Sequence, residues 1–293
     1  MFGGCREWIE WLGWASTTLD ENDYLKAAVY GLRLAPNLAG TDYGTSRQRD
    51  LGQRWTDAIR GLLGEITVAK WLKERFGVSV ELDYRLGPLS GFLQSDIKSV
   101  NGREPRLKVS VKTAKFSGLW LDVPGAQIDH SDVYILVRIG VTREHFVAFL
   151  KKLSVIRDKL IKEAVARGLA EADEMKQMWE ATPEFTAVPA YMAGFLDKIE
   201  IQDRLRDGAA IIEADGDLKK TKVVINKFLG FWHPEEDEGR LRDFLKDRGK
   251  AVRDNMGIEF EGIRDFSKTQ HFIASSGVLK KKEEDWKSFI QRL

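Results

Sequence analysis

The segment Val133–Ile139, which reads VYILVRI, constrains the fold more than any other part of the sequence. It is an almost unbroken apolar run of strand length, and such a run predicts a β-strand that is buried on both faces. A strand of that kind needs other elements packed against each side of its sheet. We therefore expect an α/β core.

Hydrophobic periodicity predicts the other elements. Apolar residues spaced three and four apart predict a long helix from about Ser46 to Arg75, and Gly77 is placed to cap its C-terminal end. Alternating apolar and polar residues between turn formers predict strands. The other strands expected are Val78–Leu82, Ser95–Val100, Leu107–Lys112, 190–196 and 222–232, and the other helices are Trp8–Trp14, Asn22–Leu34, 142–180 and Glu235–Val252.

These elements predict one α/β core that carries a helical insertion. We divide the chain into an N-terminal helical segment (1–45), a core (46–141), a helical insertion (142–189) and C-terminal α/β elements (190–293) packed on the core. A separate C-terminal domain that starts near residue 200 is the alternative.

Composition excludes some classes of protein. The 46 Lys and Arg residues nearly balance the 45 Asp and Glu residues, so any basic surface for nucleic acid would have to be local. The single cysteine, Cys5, rules out an intramolecular disulfide and fits a reducing compartment. Nothing resembles a signal peptide, and no apolar stretch is long enough to cross a bilayer. We expect a soluble, cytoplasmic protein with no membrane partner.

Two polar side chains share one face of the strand Leu107–Lys112. Its apolar residues alternate with polar ones, so Ser110 and Lys112 point away from the core. A solvated outer face would look the same. Asn101-Gly102 is a strong hairpin signal, and a hairpin would bring Asp96 on the preceding strand towards Lys112. The pair is either a plain ion pair or a metal ligand beside a catalytic ammonium.

Glu65 adds a second carboxylate to this group. It lies along the apolar stripe of the long helix, where an unpaired carboxylate is costly to bury. A glutamate that reaches solvent from the edge of the stripe is the alternative. Gly61 and Gly64 flank it and lower the helix propensity, which predicts a close backbone approach.

The order of these features resembles the PD-(D/E)XK nuclease superfamily, with type II restriction endonucleases as the nearest branch. The matching features are a helix with Glu65, a strand with Asp96, a hairpin, a strand that ends V-S-V-K-T-A-K, and then D-V-Y-I-L-V-R-I. The resemblance covers about residues 50–140. It implies a restriction-endonuclease-like core, with a mixed central sheet flanked by helices, and a metal-dependent DNA endonuclease that hydrolyses phosphodiester bonds.

The resemblance assigns roles residue by residue. Asp96 matches the first acidic position, which binds a divalent metal, and Lys112 matches the lysine that orients or activates the attacking water. Glu65 matches the helix glutamate that many members add to the metal shell. The backbone carbonyl of Val111 is a further oxygen ligand. Such oxygen ligands suit Mg²⁺, which Mn²⁺ can replace.

Two positions depart from the family pattern. Ser110 stands where the family has Asp or Glu, two residues before the lysine, and Ser95 rather than proline precedes Asp96. Some restriction enzymes of this superfamily have a serine there, and an acid from elsewhere fills its place. Glu65 is the first candidate for that acid, followed by Asp122 and Asp129. Without a replacement, the fold would persist without activity.

Contacts to double-stranded DNA are expected outside the metal site. Lys115 and Gln127 follow the motif, and Arg47, Arg49 and Arg54 lie at the start of the long helix. Each of them would also suit an ordinary solvated surface. An enzyme that cuts both strands pairs two identical sites across a two-fold axis, so a homodimer is expected by analogy. The four histidines show no zinc-like clustering.

The function predicted from the sequence is that of a sequence-specific type II restriction enzyme. A repair, recombination or phage-defence nuclease of the same fold is the first alternative. A DNA-binding protein whose site has lapsed, because Ser110 replaced an acid, is the second. An accidental motif on an unrelated α/β chain is the third, and it would leave Glu65, Asp96 and Lys112 far apart.

Overall fold

The computed structural model describes residues 4–38, 49–85, 95–205, 210–263, 266 and 269–293. Its α-helices are α1 (Cys5–Ala15), α2 (Glu21–Leu34), α3 (Leu51–Phe76), α4 (Arg143–Lys152), α5 (Lys162–Ala166), α6 (Ala172–Ala181), α7 (Lys198–Leu205), α8 (Glu238–Asp247) and α9 (Glu283–Arg292). A π-helix spans Val155–Ile161, and short 3-10 helices span Ala35–Asn37, Gly125–Gln127 and Ser276–Val278. In this part of the chain no helix is both long and apolar enough to cross a membrane.

The strands form two larger sheets and one small one. They are β1 (Ser16–Leu19), β2 (Val80–Leu82), β3 (Ile97–Val100), β4 (Val109–Lys115), β5 (Trp120–Pro124), β6 (Val133–Ile139), β7 (Val188–Asp197), β8 (Ile211–Leu218), β9 (Lys222–Trp232), β10 (Gly257–Phe260) and β11 (His271–Ser275). The first sheet has the order β1-β7-β6-β4, and β2 pairs with β3 alone. The fold is of the mixed α/β class, as predicted.

Strand β6 lies inside the first sheet, between antiparallel β7 and parallel β4. Val133, Ile135 and Val137 pack into one hydrophobic cluster with α3, whereas Tyr134 and Leu136 pack into another with β5 and β11. The prediction of a strand buried on both faces is therefore confirmed. The sheet separates two cores, and β4 forms one of its edges.

Helix α3 covers one face of this sheet. The Asp50 side chain accepts a hydrogen bond from the Gln53 N–H at its start, and Gly77 ends it in a left-handed conformation with φ of 68°. Gly64 faces β4 so closely that a Cβ atom there would lie 1.8 Å from the Thr113 hydroxyl oxygen. The predicted close approach is confirmed at Gly64, while a Cβ atom on Gly61 would meet no described atom within 4 Å.

The second sheet covers the other face of the first. Strand β9 pairs with β8, β10 and β11, and β11 pairs with β5. The two sheets share a cluster that includes Leu121, Leu136 and Phe272. Since β5 follows β4 directly in the chain, the second sheet lies beside the strand that carries Lys112.

Several predicted features differ from the structure. The Asn101-Gly102 turn forms, with φ of 49° and 77°, but β3 pairs with β2 and not with β4. The predicted hairpin between Ser95–Val100 and Leu107–Lys112 is therefore wrong. The helical insertion is helical, from α4 through α6. The first sheet also takes β1 and β7 from outside residues 46–141, the range predicted for the core.

Candidate active site

Asp96 lies along the free edge of β4, immediately before β3. Its backbone N–H donates to the Val109 carbonyl at 2.8 Å, and its Oδ2 accepts the Val111 N–H at 2.6 Å. The hydroxyl of Ser95 accepts the Val109 N–H at 3.2 Å. Asp96 thus reaches β4 without the predicted hairpin, because residues 95 and 96 take up part of the hydrogen bonding of that edge.

The Val111 carbonyl faces the same edge as Asp96. In an extended strand the N–H and C=O of one residue point the same way, and Val109, two residues earlier, directs both of these groups at residues 95 and 96. The Val111 N–H points to Asp96, so its carbonyl oxygen points towards the same edge. Two kinds of oxygen ligand therefore meet at this edge.

Glu65 approaches this edge from α3. Burial, and then the negative charges of Asp96 and Asp83, raise its pKa well above the ordinary glutamate value, while the Lys112 ammonium acts against that rise. The carboxylates of Glu65 and Asp96 are therefore electrostatic neighbours. Glu65, Asp96 and Lys112 each keep some exposed surface, although most of what surrounds them is protein.

The pKa of Asp96 is also raised. Burial is the largest cause, and the Val111 N–H, the Lys112 ammonium and a hydrogen bond from Ser110 act against it. Ser110, which departs from the family pattern, thus supports the first acid of the motif as a hydrogen-bond donor. Neither carboxylate carries its negative charge as easily as it would in water.

Lys112 projects from the face of β4 that points away from α3, and its side chain is held by a glutamine. Its Nζ donates to Oε1 of Gln127 at 2.8 Å. Burial lowers the pKa of Lys112, while the negative charges of Asp96, Asp122 and Glu65 act against that effect. Gln127, which the sequence predicted as a DNA contact, holds the lysine in place through this hydrogen bond. The face of Ser110 and Lys112 is covered by protein, not by open solvent.

Asp83 is a member of this group that the sequence reasoning missed. It directly follows β2, its side chain is buried, and Arg85 Nη2 lies 2.5 Å from its Oδ2. Its backbone N–H donates to the Asp96 carbonyl at 3.0 Å, which fixes the two acids side by side. The available signal was an aspartate at the end of the predicted strand Val78–Leu82, since acids that follow strands often gather at one sheet end.

The candidates for the missing acid fall in different places. Glu65 lies with Asp96, as described. Asp122 lies near Lys112, and its Oδ1 is 2.7 Å from Nδ1 of His271, which is buried. Asp129 lies near Tyr134, because its negative charge helps to raise the pKa of that tyrosine. None of its described contacts joins it to Glu65 or Asp96. Among the three, Glu65 is nearest to the role that the pattern requires.

Apart from Gln127, the predicted DNA contacts that the structure describes do not gather at this site. Lys115 is exposed at the end of β4. Arg49 Nη1 lies 3.4 Å from an Asp57 oxygen, and Arg54 Nη1 donates to the Leu38 carbonyl at 3.0 Å. Arg47 lies outside the described residues. Contact of any of these side chains with DNA stays a prediction.

The described residues contain no group of three or more His, Cys, Asp or Glu side chains arranged to hold a metal ion. A cation at the β4 edge would therefore have two carboxylates and a backbone carbonyl as protein ligands, with water as the remainder. Mg²⁺ commonly keeps several waters and binds through one or two carboxylates.

Comparison of this chain with protein-family models, with curated proteins and with solved structures found no match. The functional argument therefore depends on the geometry of the site itself.

Proposed function

We propose that this chain is a divalent-metal-dependent DNA endonuclease with a restriction-endonuclease-like core. One observation carries the proposal: Glu65, Asp96 and Lys112, which are far apart in the sequence, influence one another's charge at a single edge of the first sheet. An accidental motif would have left these groups apart. Two acids and a lysine near one strand edge are the residue types that metal-assisted phosphodiester hydrolysis needs.

The residues present fit a hard divalent cation. Burial and neighbouring negative charges, Asp96 and Asp83 for Glu65 and Asp83 for Asp96, raise the pKa of both carboxylates and make them costly to ionise. A dication between them would remove that cost. Glu65, Asp96 and the Val111 carbonyl would hold it. When bound, Mg²⁺ would polarise a phosphate oxygen and lower the pKa of a water molecule.

Lys112 would act on the phosphate and on the attacking water. Its ammonium places positive charge where the pentacoordinate phosphorus is most negative. Because burial lowers its pKa, the lysine gives up a proton more readily than a solvated lysine does, which also suits it to transfer one. Gln127 keeps the ammonium in place through its side-chain oxygen.

Sequence-specific cutting of duplex DNA by a homodimer is the form of this activity that we propose first. A repair, recombination or phage-defence nuclease would use the same residues on DNA ends or branched structures. A DNA-binding protein with a lapsed site would follow if no acid replaces the one absent at Ser110. The raised pKa of Glu65, next to Asp96, favours an active site over a lapsed one.

Cleavage of supercoiled plasmid, followed with Mg²⁺, Mn²⁺ or EDTA, tests this function. We expect nicked or linear product only with a divalent cation. Asp96→Asn and Lys112→Ala should lower the cleavage rate by about a hundredfold or more, as the loss of one charge-stabilising group typically does. Lys108→Ala removes an exposed lysine from the residue just before β4 and should cleave normally.

The pattern of products separates the alternatives. Discrete fragments that disappear when the DNA is methylated indicate a restriction enzyme, whereas cleavage confined to ends or branches indicates the other nucleases. Full activity in Asp96→Asn and Lys112→Ala, or DNA binding with no cleavage under any metal, would contradict the proposed active site.

A further inference from the structure

A second polar pocket lies away from the β4 edge. It is a cavity of about 370 Å³ between α1, the ends of β6 and β7, and the segment that leads into α9. Its walls include three cations, three aromatic rings and a hydroxyl: Arg138, Lys281, Lys282, Trp8, Trp11, Tyr191 and Ser276. None of the acids of the candidate active site lines it, and its volume is within the range of small-molecule sites.

Arg138 is a partly buried charged group of this pocket. Its guanidinium donates to the Tyr191 hydroxyl and, at 2.7 Å, to the Ser276 hydroxyl, and both partners are neutral. Its Nε is buried and has no hydrogen-bond partner among the described residues. No described carboxylate forms an ion pair with Arg138. A half-buried guanidinium is rarely left with neutral partners only, because desolvating its charge is costly.

Lys281 adds a second positive charge. Its Nζ donates to the Ser276 carbonyl at 2.7 Å and lies 5.7 Å from the centre of the Trp11 ring. Burial, and then the Arg138 guanidinium, lower the pKa of Lys281. The acid that lines the pocket, Asp285, accepts the backbone N–H groups of Lys281 and Lys282 at 3.1 and 2.9 Å. Two like charges thus share one wall.

Trp8 gives the pocket an aromatic mouth. Its side chain is 46% exposed, whereas the rings of Trp11 and Tyr191 are covered by the neighbouring cations. A planar ring can stack on an exposed indole, and base stacking on aromatic side chains recurs wherever proteins bind single nucleotides. A paired cation site below an open indole matches a ligand with a phosphate at one end and an aromatic ring at the other.

We propose that this pocket binds a nucleotide, with its phosphate monoester between Arg138 and Lys281 and its base against Trp8. The nucleotide is either a free mononucleotide or the phosphorylated end of a DNA strand, since both carry the same group. The site does not depend on the proposed nuclease activity. Arg138 pairs with Ala114 on β4, two residues beyond Lys112, so Arg138 and Lys112 project from the same face of the first sheet.

Calorimetric titration of the full chain in EDTA tests this site without any cleavage. The probes are deoxyadenosine monophosphate, deoxyadenosine, inorganic phosphate, and a short oligonucleotide with or without a terminal phosphate. We expect the monophosphate, the phosphorylated oligonucleotide or both to bind more tightly than the forms that lack the phosphate. Arg138→Gln and Lys281→Gln should each weaken that binding roughly tenfold or more, since a charged hydrogen bond is lost.

Two further variants define the site. Trp8→Ala, a change at an exposed position, should weaken binding of the monophosphate and leave that of inorganic phosphate unchanged. Lys287→Gln removes an exposed lysine from α9 outside the pocket and should change nothing. Thermal melting identifies any variant that fails to fold. If Arg138→Gln does not fold, Lys281→Gln alone tests the cation site. Equal binding with and without the phosphate, or binding that Arg138→Gln and Lys281→Gln leave intact, would overturn the proposal.

Discussion

At the scale of single residues, the β4 edge holds three ionisable side chains, Glu65, Asp96 and Lys112, whose charged forms do not stabilise the folded protein. The pKa values of Glu65 and Asp96 are raised, and that of Lys112 is lowered, with burial as the first cause for each. Each ionised group therefore costs folding free energy. Groups that are costly to keep in a fold but lie together in a cleft are typical of functional sites.

Replacing Glu65 should reveal this cost. Below the ordinary glutamate pKa of 4.5, Glu65 is protonated in both the folded and the unfolded chain, so it does not reduce the free energy of unfolding. As the pH rises towards the higher pKa of the folded state, the unfolded chain releases the proton first, and stability falls. Glu65→Gln lacks this loss, so without metal its melting temperature should exceed that of the wild type by a few degrees at neutral pH.

The measurement is thermal unfolding in EDTA between about pH 4 and pH 8, where the difference between the two proteins should grow with pH. Adding Mg²⁺ should stabilise the wild type more than Glu65→Gln. Glu104→Gln, at an exposed position, serves as the matched control and should follow the wild type. A difference that is independent of pH would show that Glu65 is not held in a charge-destabilising environment.

At the scale of elements, the position of Glu65 depends on how closely α3 packs on β4. Gly64 and Thr113 are the contact point, and the Thr113 hydroxyl also lies 3.4 Å from the Gly61 carbonyl. A larger residue at position 64 would push the helix away from the strand. The acid on the helix would then move relative to Asp96 and Lys112.

Two glycine substitutions on the same helix should have opposite effects. Gly64→Ala forces a steric conflict with Thr113 and should cost about 1–3 kcal/mol of unfolding free energy, as overpacking does. Gly61→Ala meets open space and should stabilise the helix by about 0.5–1 kcal/mol. Denaturant unfolding measures both values. Comparable changes of the same sign would mean that the α3–β4 contact is looser than described.

Strongly patterned elements could be predicted from the sequence, but their partners could not. The helix around Glu65 and strand β6 were expected within a few residues, because periodicity and end signals agree there. The Asn101-Gly102 turn was also expected, and it forms. Its strand pairs with β2 instead of β4, because a turn fixes only local geometry and the sheet partner depends on contacts across the chain.

The same limit applies to the candidate site. Asp96 and Lys112 were predicted together from a hairpin that does not exist, yet Asp96 still reaches the β4 edge through its backbone and side-chain hydrogen bonds. Asp83 could be noted only as an acid after a predicted strand, because its place beside Asp96 follows from the pairing of β2 with β3. The sequence was enough to predict which side chains carry the chemistry, but not the strand pairing that brings them together.

At the scale of the whole molecule, distant segments complete the core behind the candidate site. Trp286 of α9 packs against Trp71 of α3 and Phe195 of β7, with ring centres 4.9 and 4.7 Å apart. Strand β7 in turn lies between β1 and β6 in the first sheet. The last helix of the chain thus supports the helix that carries Glu65, so its packing should matter for stability although it lies far from Glu65 in the sequence.

Truncation of Trp286 tests this support. The side chain is fully buried, so Trp286→Ala should lower the unfolding free energy by about 3–5 kcal/mol, through lost apolar burial and a cavity. Trp286→Phe should cost much less, because it keeps a ring in place and removes an indole N–H that has no hydrogen-bond partner among the described residues. Trp8→Ala, at the exposed tryptophan of α1, is the control and should change stability little. Denaturant unfolding of the four proteins gives these differences. For Trp286→Ala we expect a single cooperative transition that is shifted to lower denaturant concentration. A loss of unfolding free energy as small as that for Trp8→Ala would mean that α9 does not support the core.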